Sequence, residues 1–342
     1  MSNLTAEEIL KKLRVYLFPW GANEPDVDSM VEFAKAAEEL GYEAIHVPWH
    51  FTMPKTKSFG AFGTRYLFDP MVLMPILARE TSRIKIAFEF VVPALHPFVW
   101  AQYFASLDNA SNGRAVAVPV LGWWEEDFKV GMVKKTERGR RMDEALDTIT
   151  KLMAGEPIEE TGGIWDSQGL ELNPKPVQQP FPLWIGGGEK SLNRSAKFAE
   201  AFYPLFPTVD EIRDDLVPSL KRLSEEYGRA KALELAVVNY GMISEDAQWI
   251  DEWAIPRLLA RINGITMEEA VERRDDQTLN RPEERLMIGT PQAAADRLAA
   301  MIGAGADHLV MDFYLHGWVD AKFGLEHMTR FAHEVVPLAA AK

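Results

Sequence analysis

Stretches patterned as strands and stretches patterned as helices alternate eight times along this chain, and that alternation limits the fold more than any other feature. The strands read as Leu13–Phe18, Ala44–Val47, Arg83–Val92, Ala115–Leu121, Leu183–Ile185, Ala201–Leu205, Leu233–Ile243 and Ala306–Phe313. Each is short, apolar and bounded by turn residues, as strands buried on both faces must be. Between them lie helical patterns. Asp26 to Leu40 repeats apolar residues at helical spacing and stops at Gly41. Asp69-Pro70 and His96-Pro97 open two more, reaching Thr81 and Asn109. Further helices read from Glu137 to Met153, from Glu189 or Ser191, from Asp210 to Tyr227, from Gly289-Thr-Pro291 to Gly303, and from Ala321 to Val336. Eight such units with no fixed repeat predict a single (β/α)8 TIM barrel with insertions, spanning residues 1–342. The insertions are a loop from Pro48 to Phe68 and an excursion from Glu156 to Pro182 that has room for a hairpin. A third is a charged helical stretch from Ser244 to Glu284 (about 244–286), suited to a lid or an oligomer contact.

Composition narrows the function classes. The chain has 37 basic and 51 acidic residues, and a net charge of −14 argues against nucleic acid or anionic membrane as a partner. No run of about eighteen apolar residues is available to span a bilayer. Glu7, Glu8, Lys11 and Lys12 precede any apolar stretch, which is not a secretory signal, so a cytoplasmic protein is expected. There is no cysteine, which excludes disulfides, thiolate catalysis and zinc–sulfur sites.

A barrel of this kind carries its active site at the C-terminal ends of its strands. Those ends hold Trp20, Trp49-His50, Glu89-Phe90, Trp123-Trp124 and Gly186-Gly187-Gly188. Clustered aromatics suit a flat ring ligand, although aromatics also fill cores. The glycines after Leu183-Trp184-Ile185 sit at a strand-to-helix junction. They allow positive φ and close approach to the main chain, and a helix start favours an anion. A tight βα turn would use the same glycines. Glu89 lies in a strand that should be apolar, so it needs a partner or a functional reason to be there. Ion pairing with Arg83, Lys85 or another barrel residue is the structural alternative. His50 is suited to proton transfer, because imidazole titrates near neutral pH.

Five stretches, in order, resemble the luciferase-like flavin-dependent oxidoreductase family. They are "LARETSRIKIAFEFVVPALHP", "LDNASNGRAVAVPVLGWWEEDFKVGM", "ERGRRMDEALDTITKLM", "PFPLWIGGG" and "MIGTPQAAADRLAAMIGAGADHLVM". The resemblance implies a barrel that binds FMN, or the deazaflavin coenzyme, at its C-terminal mouth. It implies that Gly187, Gly188, Glu189, Lys190 and Ser191 cradle the cofactor phosphate, with Arg140 as a further phosphate ligand. The second arginine expected near the end of the fourth strand is absent, and Leu121 or Gly122 stands there. The family's second strand ends in Asp-His or His-His near the redox face of the ring. Here the equivalent is Trp49-His50. The third strand usually carries a glycine-rich bulge against the ring; here it reads Ala87-Phe88-Glu89-Phe90-Val91, so Phe90 is a candidate face of the ring site.

Several functions follow as expectations. The first is a monooxygenase using reduced FMN and O2 on a small apolar organic substrate. A separate flavin reductase would supply it, the protein forming a homodimer as the family commonly does. His50 and Glu89 would be its catalytic residues, and Trp20, Trp49, Phe90 and Trp123 would line the ring site. The second keeps the barrel but uses the deazaflavin for hydride transfer, which the missing arginine favours. The third is a member that has lost catalysis and only binds a flavin or an apolar ligand. A metal hydrolase has weak support, because His46, His50, His96, Asp312 and His316 lack close ligand spacing.

Overall fold

A computed structural model describes residues 4–21, 26–52, 66–159, 163–314 and 321–342. Eight parallel strands form its centre: β1 (Leu13–Tyr16), β2 (Ala44–Pro48), β3 (Lys85–Val91), β4 (Ala115–Val120), β5 (Trp184–Gly186), β6 (Ala201–Tyr203), β7 (Glu234–Ile243) and β8 (His308–Asp312). They pair in the order β4-β3-β2-β1-β8-β7-β6-β5. A parallel bridge between Ala117 and Leu183, with the Ala117 amide donating to the Pro182 carbonyl at 3.1 Å, joins the two ends and closes the barrel. The TIM barrel predicted from the eightfold alternation is therefore the observed fold. Each strand is followed by a helix, as right-handed crossovers between parallel strands require.

Alternation along each strand decides which side chains face inward. On β3, Phe88 and Phe90 face outward, where Phe90 packs against Trp100 and Phe104 of the helix Pro97–Ser111 at centroid distances of 4.6 and 4.8 Å. Glu89 and Val91 therefore face inward, into the mouth of the barrel. The interior is more polar than the branched aliphatic filling usual for such barrels. Arg14 of β1 is 3% exposed and lies 3.5 Å over the ring of Trp184 on β5. Burial lowers its guanidinium to about 10, against the opposing pull of Glu43, Glu200 and Glu234.

Capping follows the sequence signals. Asp26, Asp69 and Thr290 accept hydrogen bonds from the first turns of their helices, and Gly41, at φ 91°, ends the helix Val27–Leu40. Between Glu156 and Pro182 no strand, and so no hairpin, is found among the described residues. The stretch from Ser244 onward is helical as predicted (Ile255–Asn263, Met267–Glu272 and Pro282–Arg285). It ends in a short strand, Met287–Gly289, that pairs in parallel with Gly241–Ile243 of β7. This insertion has its own small apolar centre, where Leu258 and Leu286 pack with Tyr240 and Met242. Much of the loop Pro48–Phe68 lies outside the described residues. Its end, Tyr66–Leu67, pairs antiparallel with Trp20–Gly21. Among the described residues no helix is long and apolar enough to cross a membrane.

Candidate active site

A cavity of about 750 Å³ opens at the C-terminal ends of the strands, and all eight strands contribute to it. Tyr16, Pro48, Glu89, Val120, Gly186, Tyr203, Tyr240 and Asp312 are the respective contributions. Its size falls within the range of small-molecule and cofactor sites.

One end is basic and built on glycine. Gly187 has φ 138°, and a Cβ there would stand 2.3 Å from Ser191 Oγ; beside Gly188 no protein atom lies within 4 Å of where a Cβ would be. Both positions are open because side chains are absent. A 3₁₀ turn over Glu189–Ser191 leads into the helix Leu192–Phe198, and Lys190 and Ser191 line the cavity. The side chain of Glu189 lies outside the described residues. Arg194, Arg138 and Lys135 line the same cavity. Arg138 Nη1 donates to the Gly122 carbonyl at 3.2 Å. Arg194 is fixed by Asp143, with Nη2 to Oδ2 at 3.2 Å. Arg140, expected as the phosphate ligand, is exposed and does not line the cavity. Two residues along a helix is about 200° of rotation, so Arg138 and Arg140 project from opposite sides. The inward arginine is Arg138.

The opposite wall carries His50. Its Nδ1 lies 2.6 Å from Oδ2 of Asp127, while Oδ1 of the same carboxylate accepts from the Phe51 amide at 2.9 Å. Asp127 is fully buried in the first turn of the helix Glu125–Val130, where the helix dipole favours a negative charge. The carboxylate sets the orientation of the imidazole, leaving Nε2 for other work. Trp123 stands edge-on to His50 at 5.8 Å and is 45% exposed, which places it on the rim. Trp49 lines the cavity and is otherwise buried, edge-on to Trp100 at 5.2 Å. Trp20 lies 5.8 Å from the His50 ring but is itself covered and does not line the cavity. Phe90, facing the helix layer, does not line it either.

The floor holds Glu89. Oε1 accepts from the Tyr16 hydroxyl at 2.6 Å and from the Tyr203 hydroxyl at 2.7 Å, and the two phenols are also in contact with each other. His46 Nδ1 lies 3.6 Å from the same oxygen, and its ring stacks on Tyr203 at 5.6 Å. Burial depresses the His46 imidazole to about 4, with Arg14 adding to the effect and Glu89 opposing it. Burial also drives both phenols well above their usual range, and the charge of Glu89 pushes them the same way. Both tyrosines therefore stay protonated as donors. Neither Arg83 nor Lys85 takes the role of partner: Lys85 pairs with Glu43 at 2.6 Å.

His50 and Glu89 thus line one cavity with the cradle residues Gly187, Gly188, Lys190 and Ser191. Sequence reading alone did not single out Asp127, Tyr16, Tyr203, Arg138 or Arg194. Asp127 had a signal, the acidic run in Gly122-Trp-Trp-Glu-Glu-Asp127. Tyr16 and Tyr203 come from strands far apart in sequence and had none. Among the described residues no group of three or more His, Asp or Glu side chains is arranged to hold a metal; His316 lies outside them.

Comparison with known proteins agrees with this architecture. An FMNH(2)-dependent dimethylsulfone monooxygenase of Pseudomonas putida is 20% identical over 341 residues, covering 91% of this chain and 89% of that one. An F420-dependent glucose-6-phosphate dehydrogenase of Amycolatopsis mediterranei is 24% identical over 333 residues, covering 90% and 93%. Among solved structures, an F420-dependent secondary alcohol dehydrogenase in complex with an F420-acetone adduct superimposes with a TM-score of 0.76 at 16% identity. That match covers 96% of this chain and 98% of that one, and it speaks to the fold. The sequence profile of the luciferase-like monooxygenase family matches residues 15–308, and with a closed barrel carrying its cavity at the strand ends, the chain belongs to that family of oxidoreductases.

Proposed function

We propose that this protein is a monooxygenase that uses reduced FMN and molecular oxygen on a small organic substrate with a largely apolar body. The observation that carries the reading is the pairing, within one cavity, of a basic glycine cradle with a His50–Asp127 dyad set among tryptophans. The cradle fits a phosphate monoester in three respects. Gly187 and Gly188 leave space that a Cβ would fill. Arg138 and Lys190 supply charge for a dianion, beside Lys135 and Arg194, which are paired with Glu125 and Asp143, and Ser191 supplies a hydroxyl. Charge-assisted bonds of this kind are worth about 1.5–3 kcal/mol each. Relatives such as the dimethylsulfone monooxygenase, named for its dependence on FMNH(2), support the choice of cofactor.

When bound, reduced FMN supplies the electrons for oxygen activation, a chemistry that belongs to the cofactor. The chain's own residues have four tasks in this reading. Lys190, Ser191, Arg138 and Arg194 hold the phosphate end. Trp49 and Trp123 exclude water from the reacting region. His50, oriented through Nδ1 by Asp127, moves a proton at Nε2. Glu89, held by Tyr16 and Tyr203, keeps the floor polar and fixed. The reading also takes the protein as a cytoplasmic homodimer supplied by a separate flavin reductase.

The polar floor and Asp312 favour one alternative, hydride transfer with the deazaflavin coenzyme, as in the F420-dependent relatives. Alcohol or carbonyl chemistry needs an oriented proton donor more than a dry pocket. Anaerobic titration with reduced FMN and with the reduced deazaflavin, followed by admission of oxygen, separates the two. Saturable binding of reduced FMN and faster oxygen consumption than free reduced FMN support the monooxygenase. Binding of the deazaflavin alone would overturn it.

A further inference from the structure

Past Tyr203 the end of β6 runs into a turn of unfavourable backbone geometry. Leu205 bridges in parallel to Val238 of β7, and the Phe206 amide donates to the Val238 carbonyl at 3.2 Å. Phe206 then stands at φ 52°, in the left-handed region where a bulky side chain crowds its own backbone. Pro207 follows it, and a proline presses the residue before it toward extended backbone. Two separate preferences are overridden at one residue. Such conformations persist only where the surroundings over-determine them, and they collect at ligand clamps.

The groups that hold Phe206 come largely from the insertion. Arg285, at the end of the helix Pro282–Arg285, donates from Nη1 to the Phe206 carbonyl at 2.9 Å. Its guanidinium is fixed by both oxygens of Glu211, at 2.9 and 3.1 Å, and Glu211 accepts from the Thr208 amide at 2.7 Å. The Arg285 carbonyl accepts from the buried Asn239 of β7 at 2.9 Å. The Phe206 ring lines the cavity and lies nearly parallel to Tyr240, with centroids 5.1 Å apart. It packs against both the barrel core and the small apolar centre of the insertion. Core filling alone does not require this geometry, because relaxed, extended backbone carries an apolar side chain at lower cost.

We propose that Phe206 is the specificity-determining wall of the cavity, held in place by Arg285, and that it restricts the substrate to a compact apolar body and excludes long linear chains. Arg285 acts through Phe206 and is a positioning residue. This rests on the proposed function only for the statement that the cavity takes a substrate beside the cofactor. It sharpens the expectation of a small apolar substrate by assigning the limit on its length to one side chain.

The test uses butan-1-ol, hexan-1-ol, octan-1-ol and decan-1-ol, with affinities measured by calorimetry on the full chain, with and without FMN. A buried methylene is worth about fourfold in affinity, so binding to the wild type should climb by about that factor per methylene and then stop climbing within the series. In Phe206→Ala the climb should continue for about two more methylenes, with FMN affinity unchanged within about twofold. Phe206→Gly should move the limit equally and unfold at a higher temperature than Phe206→Ala, because glycine adopts positive φ freely. Arg285→Met should let the first excluded alcohol bind about fourfold more tightly, with Arg285→Lys between it and the wild type. A climb through decan-1-ol in the wild type, no saturable binding of any alcohol, an unmoved limit in folded Phe206→Ala and Phe206→Gly, or a loss of FMN affinity in place of a moved limit would each overturn the proposal. An unmoved limit in folded Arg285→Met would overturn the role of Arg285. FMN titration of the same proteins keeps this claim apart from the cofactor reading. A moved limit without FMN binding in any of the proteins would leave this inference standing and remove the FMN reading. FMN binding with an unmoved limit would do the reverse.

Discussion

The cradle after β5 and the floor beneath it are both parts of one cavity, but they are built by different means. The cradle is local: Gly187, Gly188, Lys190, Ser191 and Arg194 fall within eight consecutive residues, and their geometry follows from a strand, a glycine turn and a helix start. The floor is assembled at a distance. Tyr16, Glu89 and Tyr203 come from β1, β3 and β6 and meet at one carboxylate oxygen only because the barrel closes. A local site tolerates damage elsewhere in the fold, whereas a site made by closure shares its stability with the barrel. Changes to the cradle should therefore appear mainly as cofactor affinity, and changes to the floor mainly as stability.

The largest effect should come from a third region, the dyad. His50→Asn or Asp127→Asn should lower turnover roughly 100- to 10,000-fold, the range for loss of a positioned acid–base group. Cofactor affinity, measured by tryptophan quenching, should change little. A large loss of affinity instead would move His50 from proton transfer to cofactor binding.

The floor comes next. Tyr16→Phe and Tyr203→Phe should each cost about 1–3 kcal/mol in urea unfolding, and the double variant should cost more than the sum. The second loss leaves Glu89 buried without either phenolic donor, which single losses do not. Additive costs would show that the two phenols act separately. In the cradle, Gly187→Val should weaken FMN binding about tenfold or more, because the side chain must displace Ser191 Oγ at a φ of 138°. Its cost in stability should stay below that of the floor's double variant, or the division drawn above fails.

Stability should also depend on pH through the floor. The His46 imidazole titrates near 4 in the folded protein, below its ordinary value of about 6.5 in the unfolded chain. With the folded value depressed, the contribution is fully present above about pH 6.5 and is lost as pH falls toward 4, on the order of 3 kcal/mol in all. Unfolding midpoints at pH 7 and pH 5 should differ less in His46→Gln than in the wild type. His327, also lowered to about 4 by burial, keeps some of the slope. The smallest effect belongs to Arg140→Ala, which should change neither affinity nor stability measurably, since the residue is exposed on the far side of its helix.

How legible each part was in the sequence follows from the same division. The eight strands and most helix ends could be read because caps, glycine stops and apolar runs are local signals, as at Asp26, Gly41 and Asp69-Pro70. The glycine cradle could be read for the same reason. The resemblance points to Arg140, but the run Arg138-Gly-Arg-Arg141 offers several candidates, and the helix phase turns Arg138 to the cavity. The resemblance puts Phe90 at the ring site because it stands where the family's glycine-rich bulge packs against the ring. The alternation of the strand from Lys85 to Val91 turns Phe90 outward. The partners of Glu89 were beyond reach, because no local pattern links positions 16, 89 and 203.

The central claim is that the cradle holds the phosphate of FMN, and the most direct measurement compares reduced FMN with reduced riboflavin, which lacks that phosphate, on the wild type and on Arg138→Met. The wild type should bind FMN about 10- to 100-fold more tightly than riboflavin, and Arg138→Met should lose much of that difference while its riboflavin affinity stays the same. Equal binding of the two flavins by the wild type, or a preference for FMN that Arg138→Met leaves intact, would contradict the account.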